Sequence, residues 1–360
     1  MTPAEDTERP PVARGRAAVI AGRTLTVLAL GIVWCALVAP NQPDLLTPGA
    51  FLRIPIEGVV LVTLSLVLPG RWARVMAVVA GGVLGVLTVV KILDIGFFAT
   101  LDRPFDPVTD WGYFGPATGV VRDSVGHGWT VVVVIGAVLI GLAVLGIVPL
   151  AMLRVTRVAG RHPAGAARTV AVLATAWVLG AALGLQFQAG EPIASTASAG
   201  LAYDEVQLVR TSIDDQASFD RDLRGVDRFG SLPGSELLTG LRGKDVVVAF
   251  VESYGRVAVQ DSTIAPAVDA VLRSGTASLQ RHGYLSRSAF LTSPTFGGIS
   301  WLAHSTLQSG LWVDNQNRYD QLVASDRFTL SDAFARAGWR TVGDVPSNSG
   351  DWPEGRTFYH

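Results

Sequence analysis

A multi-pass α-helical membrane domain followed by an extracytoplasmic α/β domain is the fold class this sequence predicts, and three observations carry it. Of 360 residues, 49% are hydrophobic and 16% charged, with a mean hydropathy of +0.38, whereas soluble domains carry about 25% charged residues. The apolar residues gather into five runs before residue 190. Charge divides at the same point: residues 1–189 hold 14 basic and 10 acidic side chains, and residues 190–360 hold 15 and 20. The two halves therefore differ in sign, as segments in two compartments would. A net charge of −1 excludes a globally basic nucleic-acid binder, so no nucleic-acid partner is expected. The single cysteine, Cys35, lies inside an apolar run; it excludes a disulfide framework and a cysteine metal site, and reads as packing.

The five runs are roughly Ala17–Ala39, Ile54–Leu68, Val75–Phe98, Thr130–Leu153 and Thr169–Phe187. Most reach the ~20 residues that cross about 30 Å of hydrocarbon. The second is short, bounded by Pro55 and Pro69, and losing it would invert everything downstream. The charges keep it. With five spans, Arg9, Arg14, Arg16, Arg71, Arg74, Arg154, Arg157, Arg161 and Arg168 fall on one side, which the positive-inside rule makes cytoplasmic. The N-terminus is then inside and everything after about residue 190 outside. The first run continues into Pro40 and reads as an anchor rather than a cleaved signal. Glu57, Lys91 and Asp94 are ionisable within the spans. They read either as interface anchors, with Lys91 and Asp94 paired at i,i+3 and snorkelling, or as a polar cavity near the outer leaflet.

The expected domains are a cytoplasmic tail (1–16), a five-helix transmembrane domain (17–188), a linker with a juxtamembrane helix (189–242) and an external domain (243–360). In the linker, Leu201, Val206, Val209 and Ile213 recur among acids at helical spacing, predicting an amphipathic helix to about Leu223. Asp245 to Ser253 is a β-branched apolar run, as in a parallel strand buried on both faces. Glu252 stands at its carboxyl end, where open α/β sheets bind ligands; the alternative reading is a solvated acid beginning a loop. A helix is expected over about Pro266–Arg273, then a turn and a second extended segment. From Ser300 the chain turns helix-compatible after Pro294 and two glycines, so Ser300 is a helix N-cap or a nucleophile placed where backbone N–H groups favour an anion.

Ser300 is followed by His304, Thr306, Gly310 and Leu311. This spacing, with a carboxylate some fifty residues upstream, resembles the alkaline phosphatase and sulfatase superfamily, and locally its nucleotide pyrophosphatase/phosphodiesterase type. The plan of five spans, a juxtamembrane helix and an external domain resembles lipoteichoic acid synthase and related phosphoglycerol transferases, as does the text from Gly338 to Trp352. The resemblance covers the whole chain in plan and about 110 residues in motif.

It implies a partial alkaline-phosphatase-like parallel sheet and a membrane-anchored, metal-dependent phosphotransferase or hydrolase acting on a phosphodiester or sulfate ester. The substrate would be a membrane lipid or cell-wall glycopolymer, beside the bilayer itself as partner. Ser300 would be the nucleophile, with Thr295 the competing hydroxyl, and Glu252 and Ser300 would ligate a divalent ion, Mn²⁺, Mg²⁺ or Zn²⁺. His304 would touch the leaving group or metal, or else sit in the core. Trp352 would stack on substrate or merely pack. Asp314 to Asp320 reads as a solvated loop, with Asn315 and Arg318 as phosphate contacts. Trp301 and Trp312 read as core. The family completes its site with an Asp-His pair and another His in the second half of the domain. After Asp351 the sequence holds no such pair, and about 170 external residues are too few for that fold. The expectation is therefore a fragment, or a degenerate relative acting as a binding protein, with the surface around Val246 to Val251 uncovered and prone to association. A small transporter using Glu57, Lys91 and Asp94 is the weaker reading, because no span is interrupted at midplane.

Overall fold

The computed structural model describes residues 16–360 except 189, 252–254, 261, 296–297, 345–354, 356–357 and 360. In chain order the elements are α1 (Arg16–Val38), β1 (Ile54–Pro55), α2 (Ile56–Val67), α3 (Gly70–Leu101), α4 (Phe114–Val125), α5 (His127–Arg161), α6 (Pro163–Ala182), β2 (Gln186–Gln188), β3 (Glu191–Pro192), β4 (Ala194–Ser195), α7 (Ala197–Leu223), α8 (Ala265–Arg281), α9 (Ser300–Ser309), α10 (Gln316–Val323) and α11 (Leu330–Arg336). They form two compact units, Met1–Ala99 with Val120–Gln207, and Thr100–Gly119 with Leu208–His360.

In the first unit, α1, α3, α5 and α6 are each long and apolar enough to cross a membrane, the architecture of a multi-pass membrane protein. α3 and α5 outrun their apolar runs because helix-forming arginines and small residues continue the backbone hydrogen bonding past the hydrocarbon stretch. α6 ends earlier than the apolar run did, since Gly184 takes a left-handed φ of 62° and turns Gln186–Gln188 into β2. The core is a seam of Ala29, Val33, Ala36 and Leu37 from α1 with Ala77 and Leu84 from α3 and Val148, Ala151, Met152 and Val155 from α5. Gly81 permits it: a Cβ there would lie 2.7 Å from the Pro149 Cα. Cys35 does not join this packing; it is exposed on the helix surface.

α2 is 12 residues long, about 18 Å, because Pro55 holds extended backbone at its start and Pro69 follows its end. Its first turn adjoins the end of α1, where a Cβ on Gly58 would meet Leu37 Cδ1 at 3.1 Å. The same end of the bundle gathers β1 paired in parallel with β4 and β2 antiparallel to β3.

This end is also where the ionisable residues lie, and they do not snorkel. Lys91 and Asp94 are buried at 4% and 0% exposure. The last carbonyls of α1 lack helical partners, and neighbours supply them. Lys91 Nζ donates to Ala36 O at 2.8 Å, the Ser198 hydroxyl to Leu37 O at 2.8 Å, and Arg53 to Val38 O at 3.0 Å. Two cations thus sit at the negative end of the helix dipole. Asp94 accepts from Asn41 at 2.7 Å, and Glu57 accepts from the Ala199 amide at 2.8 Å.

The second unit is largely helical, and among the described residues no α/β domain forms. Among those residues the only sheets are the two-stranded pairs of the first unit. Residues 245–251, expected as a buried strand, have no ladder, because no described segment runs alongside to take up their backbone groups. They keep the period of a strand nonetheless: Val246, Val248 and Phe250 are 39, 48 and 38% exposed, while Val247 and Val251 are 88 and 72% exposed. The uncovered apolar surface expected there is present. α8 runs to Arg281 rather than Arg273; Gly275 is carried inside the helix, and the stop comes at His282 and the left-handed Gly283. On α7 the predicted face is only partly right. Leu201 is buried, but Val206 and Ile213 are about half exposed, and Ser212 and Phe219 turn inward instead.

Candidate active site

α9 begins at Ser300. The residue in the capping position is Ile299, and no side chain caps the helix, so Ser300 is not the N-cap that its sequence position allowed. Ile299 has φ 52° and ψ 41°. A β-branched residue in the left-handed region is a backbone outlier, a strain of roughly 1–3 kcal/mol that the surrounding structure must hold. Ser300 therefore enters the first helical turn, half-buried, from a strained corner, where helix N–H groups and dipole favour negative charge. Gly310, left-handed at φ 69°, ends the helix.

His304 is one turn on, 8% exposed, and its ring stacks on Phe250 with centroids 3.9 Å apart. That contact draws the extended segment 245–251 against the first turns of α9, so the two segments that carry the resemblance are neighbours. Trp339 Nε1 donates to Lys244 O at 3.1 Å, adding the start of the 339–344 stretch to the same group. Thr306 ties the end of α9 to the residues that follow it, because its hydroxyl accepts from the Val313 amide at 3.0 Å and donates to the Val313 carbonyl at 3.3 Å. Thr295 stands outside the helix with its hydroxyl 3.2 Å from that of Ser293. Glu252 and Trp352 lie outside the described residues.

No protein-family model, curated protein or solved structure matches this chain.

Asn315 and Arg318 are held in other work. The expected solvated loop is the start of α10, where the Asn315 side chain caps the helix by accepting from the Arg318 amide. The cue was present in the Asn itself, a favoured N-cap residue. The Arg318 guanidinium donates to both oxygens of Asp215 on α7, lies 3.6 Å from Asp314, and sits over the Phe219 ring at 5.0 Å. The Asp215 hydrogen bond holds this guanidinium above its ordinary pKa. Trp301 is half-buried and donates to Gln316 at 3.0 Å, while Trp312 is 43% exposed rather than core.

Sequence reasoning also missed the acidic turn of the second unit, where no motif spacing announces it. Asp110, fully buried, receives Arg103 in a two-pronged pair at 2.6 and 2.7 Å. Burial is the largest single influence and works against the charged Arg103, but the hydrogen bond and charge of Asp110, together with Tyr113, outweigh it and raise its pKa. Burial pushes the neighbouring Tyr113 hydroxyl up to about 12.

A shallow cleft of about 500 Å³ lies between Asp220, Leu223 and Arg224 of α7 and Gln321, Ser325 and Arg327. Of its charged walls, Arg224 pairs with Asp220 and Arg327 with Asp227, and no candidate residue lines it. For a divalent ion the described residues supply, of the expected donors, the Ser300 hydroxyl with His304 one turn on, while Glu252 lies outside them. No group of three His, Cys, Asp or Glu side chains converges among them, so by themselves they do not fit an ion site.

Proposed function

We propose that this chain is a membrane-anchored phosphotransferase or hydrolase of the sulfatase-like group, with Ser300 as nucleophile toward a phosphodiester or sulfate ester of a cell-envelope lipid or glycopolymer. The strained entry into α9 supports it most. An isoleucine held at φ 52° directly before a helix-leading serine is the kind of backbone strain that gathers where a reactive group is positioned. In a phosphodiester the Ser300 oxygen bonds to phosphorus and gives up its proton to a base. The ester oxygen departs and takes a proton, and a second hydroxyl or water then releases the serine. The divalent ion belongs to this reading through the resemblance, with Glu252 and Ser300 as donors.

The reading includes five crossings with the N-terminus inside. α2 is short, but the ends of α1 and α3 support counting it. Lys91, late in α3, meets the last turn of α1, so α3 runs toward the side where α1 ends. This supports a return of the chain between them through α2. Arg154, late in α5, meets Gly22 and Thr26 early in α1, so α5 runs back, and α6 returns the chain to the side of β1 and β4. The arginine asymmetry makes that side external.

The test is turnover of bis(p-nitrophenyl) phosphate with added Mn²⁺ by the full chain in phospholipid nanodiscs. Ser300→Ala is expected to lower it by at least on the order of a hundredfold, and Thr295→Ala far less. Equal turnover by the chain and Ser300→Ala sinks the assignment; loss with Thr295→Ala alone moves the nucleophile there. The second reading is a non-catalytic binder of such a polymer or a partner protein. It is favoured by the lack of converging metal donors among the described residues, and turnover absent from every variant selects it.

A further inference from the structure

The loop between α3 and α5, residues 102–126, is tied at both ends to helices able to cross a membrane. Its first part is a rigid platform. Asp110 is fully buried, clamps Arg103, and accepts from the Asp106 amide at 2.7 Å, while Asp106 accepts from the Val108 amide at 2.7 Å. On this platform three aromatic rings touch. Phe105 is the base, 1% exposed, with Trp111 edge-on at 5.5 Å and Phe114 at 6.3 Å. Trp111 and Phe114 face outward together, centroids 5.7 Å apart, and are 61% and 39% exposed.

Trp111 Nε1 donates to the Pro107 carbonyl at 2.7 Å. Its one polar atom is satisfied inside the loop, so its exposed surface is hydrocarbon. A lone exposed aromatic needs no explanation. A contacting pair, held by a buried ion pair with its indole N–H already bonded, has been built to meet something apolar. The tether names the candidate. Nine residues of loop separate Trp111 from Leu101 at the end of α3, a reach of at most about 35 Å. Phe114 begins α4, whose 12 residues cover about 18 Å before Gly126 and the start of α5. Val125 and Trp129, at the far end of that path, are 49% and 68% exposed. Aromatic rings beside membrane-spanning helices are stabilised at the boundary between headgroups and acyl chains.

We propose that Trp111 and Phe114 form a membrane wedge that inserts into the bilayer interface around the spanning helices, an anchor additional to the spans. The partner is the phospholipid interface itself, and it is bound by hydrocarbon burial rather than by charge.

The test places a nitroxide at position 111 or 114 of the full chain, as Trp111→Cys or Phe114→Cys on a Cys35→Ser background, in nanodiscs of phosphatidylcholine and phosphatidylglycerol. Val226→Cys, at a site 98% exposed, is the aqueous reference. Oxygen is expected to relax the labels at 111 and 114 more strongly than a water-soluble nickel chelate does, with the ratio several-fold above that at 226. Using two positions keeps the result readable, since Phe114→Cys leaves Trp111 in place. Ratios at both positions equal to the reference would overturn the wedge. So would exclusion of both probes, which would mean that a second copy or another protein covers the rings.

Discussion

Lys91 sits where its sequence allowed an anchor but is bound inside the bundle instead of snorkelling. It is buried and spends its ammonium on the carbonyls of Ala36 and Leu37. Lys91→Met keeps the stem and removes the donor, leaving Ala36 O without that partner. The expected loss is about 1–3 kcal/mol, read as a lower unfolding midpoint of the reconstituted chain; an unchanged midpoint would show that the cap contributes nothing. Tyr113 makes a prediction in pH. Unfolded, a tyrosine releases its proton near pH 10, whereas burial holds Tyr113 protonated to about 12. Its contribution to stability is therefore fully present below about pH 10 and is lost as pH rises through about 12, by about 3 kcal/mol in all. Denaturant unfolding across that window should show a steeper loss in the native chain than in Tyr113→Phe.

At the scale of elements, α2 decides the topology. Its 12 residues fall short of the usual span, and only its flanks and neighbours argue that it crosses. A reporter active only in the cytoplasm should work when fused after Pro69. One active only outside should work when fused after Gly230. The reverse pattern at Gly230 would remove α2 from the spans and turn the second unit inward. α8 shows a different limit of local signals. Gly275 looked like a stop and was not, because one glycine inside a helix costs only about 1 kcal/mol. The true stop needed a glycine in the left-handed conformation, and Gly283 supplies it.

At the scale of the molecule, the second unit shows apolar surface that isolated domains cover. Val247, Val251, Leu285, Leu291 and Val342 are all at least 72% exposed, on extended segments without ladders. Such segments present unpaired backbone groups as well as hydrocarbon, and so invite strand pairing. Val247→Arg with Leu291→Arg is expected to shift the detergent-solubilised full chain toward smaller species in light scattering. The same size distribution from both chains would show that this surface does not drive association.

The membrane architecture was legible in the sequence because a bilayer imposes a length and a polarity on each segment that local composition must satisfy. The helix over Ala197–Leu223 and the helix opening at Ser300 were legible too as helices, since helix-compatible composition acts within a few positions, although the inward face of the first and the capping of the second were not. What local signals could not supply was each partner's identity. Asp245 to Ser253 has the composition of a buried strand, but a strand exists only when another segment takes its hydrogen bonds, and among the described residues none does. Arg318 and Asn315 look like phosphate ligands in a polar run until Asp215, 103 residues away, and the start of α10 claim them. Ile299 carries no sign in its neighbours that its backbone is left-handed. Tertiary structure decided these because ion pairs, ladders and backbone strain are settled between segments distant in sequence, whereas hydropathy and helix period are settled within one.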